Sequence, residues 1–331
     1  MTAILAITNG SVDISLTELF QTIAHKTGIS DIHPGTKVEA IIWGIRLPRV
    51  ILSLLVGSVM GICGAAMQGL FRNPLADPSI IGISAGASLA AALVIVLGTS
   101  FFAPFGIFVQ LSALAISTFS GAVLATLLIF SLSVTKGKAI VASMLLTGIA
   151  INAFSMAFVG LLTFLSTESQ LRTLTFWTLG SLGGANWTGV SIMAIIFLIV
   201  IFGLLRQYKS LNLLALGENE AKFLGISTES LKSKVLLFTA LGVGFSVSQC
   251  GMISFVGLVV PHLVRLSLGS DNRLVLPVSA IGGALLLCGA DLISRIISPP
   301  VEIPIGVITA LIGAPFFLFL LHQQKKKSIV I

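Results

Sequence analysis

Arg46-Leu47-Pro48-Arg49 is the first segment whose side chains could do chemistry, because two guanidinium groups flank a proline at the start of a long apolar run. Proline suits the first turn of a helix, so the segment predicts a helix start. Two arginines at a helix mouth can dock an acidic partner through charge complementarity. Alternatively, they can lie along an apolar surface and keep their charged ends in water.

A second group of ionisable residues lies near the other end of the chain and comprises Asp291, Arg295 and Glu302. Asp291 and Arg295 are four residues apart, so one helix face carries both and they can pair. Charged groups within a membrane are costly and usually face the interior of a helix bundle. This group therefore predicts either a structural ion pair or a functional site.

The segment 207–233 is the longest polar connection and predicts two short helices, around 211–217 and 218–225. Gly217 and Gly225 stand at the ends of these helices, where glycine commonly terminates a helix. Within this segment, the apolar residues 213–216 precede a charged stretch that begins at Glu218. A loop with its own amphipathic structure can hold another protein, whereas the alternative is a solvated hairpin.

The chemistry of soluble enzymes is not predicted. The sequence contains neither the pattern Gly-x-x-x-x-Gly-Lys-Ser/Thr nor His-Glu-x-x-His. Gly82-Ile83-Ser84-Ala85-Gly86 has the spacing of a nucleophile elbow, but it lies in an apolar run without the strand that an elbow requires. Cys63, Cys250 and Cys288 also lie in apolar runs and are expected to be buried thiols. We expect no catalytic residue, no metal site and no cofactor bound by this chain.

Membrane helices must position these residues, because only 9% of the 331 residues are charged and 56% are hydrophobic. A soluble chain carries about 25% charged residues. Backbone polar groups in lipid must be satisfied within each segment, so long apolar runs are expected to be helices. The net charge of +7 fits basic loops better than a nucleic-acid partner. The runs are 49–70, 79–98, 107–134, 140–165, 188–206, 234–250, 252–268, 274–297 and 305–322.

The distribution of basic residues predicts the orientation. The connecting segments alternate between two sides, and thirteen of the 19 Lys and Arg residues belong to the side that includes 207–233 and Lys325-Lys326-Lys327. Basic residues collect in cytoplasmic loops, so this side and the C-terminus are expected in the cytoplasm. The other six lie outside: Lys26, Lys37, Arg46, Arg49, Arg172 and Arg295.

Small residues at four-residue spacing, such as Gly57 with Gly61 and Gly82 with Gly86, predict close helix packing. The segment 171–187 contains two tryptophans and three glycines and predicts a short interfacial helix. Gly and Pro near residues 250 and 303 predict broken helices, which need protein or a water-filled cavity around them.

The last pattern is a series of stretches that occur in a fixed order: Arg46-Leu47-Pro48-Arg49, 64–78, 80–87, Leu216-Gly217-Glu218 with Leu224-Gly225, 253–262, Ala290-Asp291, 302–306 and Gly313-Ala314-Pro315. They resemble the signature of the FecCD family, the permease subunits of ABC importers for iron-siderophores, haem and cobalamin. The resemblance covers about residues 10 to 322. Small departures are Asn272, where the family often has His, and Ile303, where Leu is usual.

The resemblance implies an all-α, polytopic membrane bundle with several partners. Two permeases pair, as a homodimer or with a paralogue, two ATPases dock beneath them and hydrolyse ATP, and an extracytoplasmic binding protein delivers the substrate. Arg46, Arg49 and Arg295 would meet carboxylates of the binding protein. Substrate would pass between the two permeases, lined partly by the helix around 140–165.

The resemblance also implies two sets of functional residues on the cytoplasmic side. The segment 207–233 would form the coupling loop held by the ATPase, through Leu213, Leu214, Ala215, Leu216, Gly217, Glu218, Ala221, Leu224 and Gly225. The cytoplasmic gate would comprise Asn73, Leu75, Val141 and Ala142.

The N-terminus departs from the family pattern of ten helices. Only Met1 to Ile7 correspond to the helix that precedes Arg46 in the family. Either the sequence starts late or the chain has nine full spans, and we expect nine full spans and a truncated first helix within a single permease domain, 1–331. Residues 1–45 would comprise the truncated helix and an outer segment, with the N-terminus outside.

Together these patterns predict the transmembrane subunit of an ATP-driven importer in the cell inner membrane that carries an iron chelate, most readily a siderophore, with haem or cobalamin as alternatives. A secondary transporter driven by an ion gradient is the alternative class, for which Asp291 and Glu302 are the candidate groups. A membrane-embedded enzyme would need catalytic groups clustered at mid-membrane depth, which the sequence does not contain.

Overall fold

The computed structural model describes residues 2–8, 14–29, 35–98, 104, 107–135, 138–298 and 301–329. Helices dominate this part of the chain, and every predicted apolar run contains one. The first helices are α1 (Thr2–Thr8), α2 (Leu16–Lys26), α3 (Thr36–Ile41), α4 (Leu47–Phe71), α5 (Ile83–Leu93), α6 (Ile107–Leu132) and α7 (Val141–Leu165). The later ones are α8 (Glu168–Leu179), α9 (Trp187–Leu205), α10 (Tyr208–Leu216), α11 (Glu218–Phe223), α12 (Thr228–Cys250), α13 (Val256–Leu268), α14 (Asn272–Ile296) and α15 (Ile305–Ile329). The all-α prediction is confirmed.

Among the described residues, six helices are long and apolar enough to cross a membrane: Thr36–Phe71, Ser112–Leu132, Val141–Leu165, Trp187–Leu205, Thr228–Cys250 and Asn272–Ile296. Three shorter apolar helices correspond to the other predicted runs: Ile83–Gly98, Val256–Leu268 and Ile305–Leu318. The count of nine full spans stays a prediction. At the N-terminus, α1 packs against α4 and α14, and its Ala6 is fully buried.

Pro48 does not begin a helix, which corrects the prediction from Arg46-Leu47-Pro48-Arg49. A π-helical turn, Ile42–Arg46, joins α3 to α4 and makes one continuous helix from Thr36 to Phe71. The N–H of Leu47 reaches back to the carbonyl of Ile42 across this wider turn. Because proline has no N–H and its ring crowds the preceding turn, a local widening lets the helix continue through Pro48.

Helix breaks occur near residue 250, as predicted. The helix α12 ends at Gly251 (φ 70°), and α13 begins after Phe255, which adopts a left-handed conformation (φ 68°). This conformation is costly for an aromatic residue and requires support from its surroundings. A Cβ atom on Gly313 of α15 would overlap the ring of Phe255, so a glycine is needed beside it.

The predicted interfacial helix begins earlier and ends earlier than 171–187. The helix α8 starts after Thr167, whose hydroxyl and backbone form a capping box with Gln170. It ends at Gly180 (φ 73°), and Trp187 belongs to α9. The Trp187 indole N–H donates to the carbonyl of Trp43 at 2.9 Å, and the two rings lie 5.1 Å apart.

Close helix contacts through glycine hold the centre of the bundle, as the four-residue spacing predicted. The helix α4 packs against α14, where a Cβ on Gly57 or Gly61 would overlap the carbonyl of Gly283 or Ser279. Gly86 of α5 has the same relation to α6. Backbones that approach this closely gain van der Waals contacts without a hydrophobic driving force.

A short antiparallel hairpin lies between α6 and α7 and was not predicted. Its strands are β1 (Val134–Thr135) and β2 (Lys138–Ala139), with Val134 opposite Ala139. The helix α7 follows β2 directly. Most of the side chains of α7 are not buried, including Leu146, Ile149 and Phe164.

Candidate functional site

The loop 207–233 contains the two short helices that were predicted. They are α10 and α11, separated by Gly217 (φ 143°) and followed by Gly225 (φ 84°). A Cβ on Gly217 would overlap the carboxylate of Glu220, and an L side chain rarely adopts its backbone conformation. The loop is therefore a defined structure rather than a solvated hairpin.

The side chains of this loop divide into two groups. Leu214, Ala221 and Gly217 are buried against the bundle. Ala215 and Gly225 are exposed, and Leu213 and Glu218 are intermediate. The exposed apolar side chains are Leu216 (66%), Phe223 (91%) and Leu224 (58%), which we call the apolar tip. Phe223 was missed, because one aromatic residue in a charged stretch gives no sequence signal of its exposure.

Polar contacts fix α10 to the bundle. The amide oxygen of Asn212 accepts from the backbone N–H and the side chain of Asn272, both at 2.8 Å. Its amide nitrogen donates to Asp271 at 2.6 Å. Arg265 donates to Asn272 at 3.2 Å and to the carbonyl of Ala65 at 3.1 Å. Asn272, which stands where the family often has His, thus belongs to the hydrogen-bond network that anchors α10.

Ion pairs fix α11. The carboxylate of Glu218 accepts from Lys222 at 2.8 Å and from Lys232 at 3.0 Å. Burial opposes ionisation of Glu218, but the hydrogen bonds and positive charges of the two lysines outweigh it and hold the pKa of Glu218 below its usual value. Glu218 is therefore an anion at neutral pH.

The four predicted gate residues lie at the same end of the bundle as α10 and α11. Asn73 and Leu75 occupy the turn after α4, where the N–H of Leu75 donates to the Asn73 side chain at 2.9 Å. Val141 and Ala142 begin α7, directly after the hairpin, and Ala142 is exposed. Their role as a gate stays a prediction.

The opposite end of the bundle contains an ionic cluster of Arg49, Asp291, Arg295 and Glu302. Arg49 donates to Asp291 at 2.8 Å and to both oxygens of Glu302, the shorter at 2.8 Å. Arg295 lies 3.2 Å from Asp291, so the predicted pair of these two residues is present. The two cations and two anions leave the cluster formally neutral.

The three arginines are buried, although docking of an acidic partner and charged ends kept in water both predict accessible guanidinium groups. Arg46, Arg49 and Arg295 are only 5%, 6% and 8% exposed. Arg46 donates to the carbonyls of Ile7 and Thr8 at the end of α1, and Arg295 donates to that of Ala6. The physical reason is that the last carbonyls of a helix lack intrahelical partners and attract cations. Docking of a binding protein on these arginines stays a prediction.

Side chains typical of metal or nucleophilic sites are dispersed. Within the described ranges, no group of three or more His, Cys, Asp or Glu residues could hold a metal ion. Cys63, Cys250 and Cys288 are buried free thiols.

Comparison with known proteins gives a consistent result. The model of the FecCD transport family matches residues 1–323. The chain is 44% identical over 290 residues to the hemin transport system permease protein HmuU of Yersinia pestis, covering 86% of this chain and 84% of that protein. It is 40% identical over 286 residues to the vitamin B12 import system permease protein BtuC of Vibrio cholerae, again 86% and 84%.

A solved structure, an inward-facing conformation of a transporter of the metal-chelate ABC type, matches with a TM-score of 0.83 at 31% identity. The match covers 97% of this chain and 95% of the other.

Proposed function

We propose that this chain carries a metal chelate into the cytoplasm. It belongs to the FecCD transport family and is a transmembrane permease of the ABC transporter type. The proposal includes a second permease, two ATPase subunits and an extracytoplasmic binding protein. The two relatives are permeases for hemin and for vitamin B12. This similarity favours haem or cobalamin over the siderophore predicted from the sequence.

The observation that carries this proposal is the apolar tip on α10 and α11. Phe223 is 91% exposed although the loop around it is anchored to the bundle by hydrogen bonds and ion pairs. An exposed apolar group on a fixed support is typical of a protein interaction site. Since this end also has the predicted excess of basic residues, we propose that the ATPase docks here from the cytoplasm.

The chain has no covalent chemistry to perform in this mechanism. Binding of ATP by the docked subunits would move α10 and α11, and the bundle would exchange an inward-open for an outward-open arrangement. The free energy would come from the ATP cycle of the ATPase, and the difference in its affinity for the two arrangements would shift the permease between them. The poorly covered face of α7 supports a second permease on that side, with the substrate passing between the two.

The test is uptake into proteoliposomes that contain the permease and its ATPase, with the binding protein outside. Haem, cobalamin and a ferric siderophore are supplied separately. We expect ATP-dependent accumulation of one of them, unaffected by a protonophore. Uptake that persists without ATP and collapses with the proton gradient would instead support a secondary transporter.

Replacing Phe223 with alanine is expected to weaken binding of the ATPase about 30-fold, because an exposed aromatic anchor at an interface contributes roughly 2 kcal/mol. The measurement is the affinity of the purified permease for its ATPase. Phe20→Ala is the matched control, since Phe20 is 63% exposed on α2. Equal affinities for the two variants would contradict docking on the apolar tip.

The C-terminal basic run Lys325-Lys326-Lys327 supports the proposed orientation, in which the C-terminus is cytoplasmic. We also propose that the binding protein docks at the opposite end. There, a carboxylate of the binding protein would replace Glu302, whose side chain is 45% exposed, as a partner of Arg49.

A further inference from the structure

Lys232 is a charged side chain at the loop end of the bundle that is almost completely buried. It lies in the second turn of α12 and is 1% exposed. An ammonium group has three N–H donors. Here they have three acceptors: the carbonyl of Ala139 at 2.7 Å, Glu218 at 3.0 Å and Glu229 at 3.1 Å. The charge is therefore fully paired.

The three acceptors belong to three different elements. Ala139 lies in β2, Glu218 begins α11 and Glu229 lies in the first turn of α12. Glu229 also accepts from the backbone N–H of Ala139 at 2.7 Å. Ala139, the last residue of the hairpin, is thus bound through both its N–H and its carbonyl. It lies two residues before the start of α7.

A buried ammonium group that loses its acceptors incurs a large desolvation penalty, so these contacts resist separation. If α11 moves, Glu218 and Lys232 either move together or the buried ammonium group loses one of its three acceptors. The ion pair therefore provides a direct physical link from α11 to the hairpin. Val141 and Ala142, the predicted gate residues, follow that hairpin in the chain.

We infer that Lys232 is a positioning residue that transmits the movement of α11 to the hairpin and to the start of α7. This inference rests on the proposed function, because it takes the ATPase to act on α10 and α11. The part it adds is the route: from Glu218 through Lys232 to Ala139. It does not depend on which chelate is carried.

The chain contains a matched control. Lys222 binds the same oxygen of Glu218 at 2.8 Å, but as a neighbour one turn away within α11. Its side chain is 38% exposed, compared with 2% for that of Lys232. Lys222→Met therefore removes a lysine charge and a partner of Glu218 while leaving the contact with Ala139 in place.

The experiment uses the full permease in complex with its ATPase in nanodiscs and follows hydrogen exchange of the Ala139 amide with and without ATP. We expect ATP to change this rate in the wild-type complex and in Lys222→Met. In Lys232→Met the change should shrink about tenfold, a typical size for the coupling between two sites. ATP hydrolysis should remain within about twofold of wild type, with about tenfold less uptake per ATP hydrolysed.

A second variant allows the inference to be tested even if Lys232→Met does not fold. In Glu218→Ala the side chain removed is 33% exposed, and Lys232 keeps Ala139 and Glu229 as partners. It should lose the ATP-dependent change in the same way. Persistence of that change in Glu218→Ala, at the level of Lys222→Met, would overturn the inference. Failure of the wild type to take up any chelate would count against the proposed function alone, since the exchange measurement needs no chelate.

Discussion

Gly64→Ala is expected to destabilise the bundle by about 3 kcal/mol or more, the upper end of the range for overpacked cores. Gly64 of α4 faces Gly257 of α13, and a Cβ on Gly64 would overlap the Cα, carbonyl carbon and oxygen of Gly257. The obstructing atoms are backbone, so no rotamer change can relieve the overlap and the two helices must separate. The measurement is the yield and the unfolding temperature of the purified protein in detergent.

The control for this prediction is Gly289→Ala in α14. An added Cβ at Gly289 meets no atom within 4 Å, so the substitution introduces no overlap. It is expected to leave the unfolding temperature unchanged or slightly raised, since alanine favours helix over glycine by up to about 1 kcal/mol. If both variants lowered the unfolding temperature by a similar amount, the overlap between α4 and α13 would not be the reason why Gly64→Ala destabilises the protein.

Arg49→Met is expected to cost about 3–5 kcal/mol, because it removes one partner from a buried ionic cluster. Asp291 is fully buried and would keep Arg295 as its remaining cation, while Glu302 would lose both of its bonds to Arg49. Arg49→Lys should recover only part of the stability, since an ammonium group cannot reproduce the planar fork of donors that bridges two carboxylates.

Thermal unfolding of the permease without its binding protein tests this prediction separately from docking. Arg172→Met serves as the control, because Arg172 is exposed on α8 and contacts the ring of Phe176. Exposed substitutions usually change stability by less than about 0.5 kcal/mol. Equal unfolding temperatures for Arg49→Met and Arg172→Met would show that the cluster contributes nothing to stability.

Much of the fold could be predicted from the sequence because the bilayer imposes a simple rule on the chain. Long apolar runs must be helices, and glycines at four-residue spacing must face other helices. Gly57, Gly61 and Gly86 lie at such contacts. Local chemistry also located the two short helices, since glycine commonly terminates a helix: α10 ends before Gly217, and α11 lies between Gly217 and Gly225.

The misjudged features depend on contacts between residues that are distant in sequence. Arg49 and Asp291 are separated by 242 positions, so neither gave a sign that the other would neutralise it. Lys232 looked like one more basic residue of a loop, and only the fold brings it to Ala139, 93 positions earlier. The helix through Pro48 depends on a local widening of the backbone that no residue type specifies.

The length of the helix Thr36–Phe71 determines how far the permease stands out of the membrane. Trp43 packs against Trp187, and tryptophans gather at the level of the lipid headgroups. The 29 residues from Trp43 to Phe71 span about 42 Å at a rise of 1.5 Å per residue, which matches the roughly 40–45 Å of a bilayer with its headgroups.

With Trp43 at the level of the headgroups and the helix perpendicular to the membrane, the turns from Thr36 to Ile42 would extend about 10 Å beyond the headgroups. On the proposed function, a binding protein that approaches the arginine end would meet these turns before it reaches the lipid.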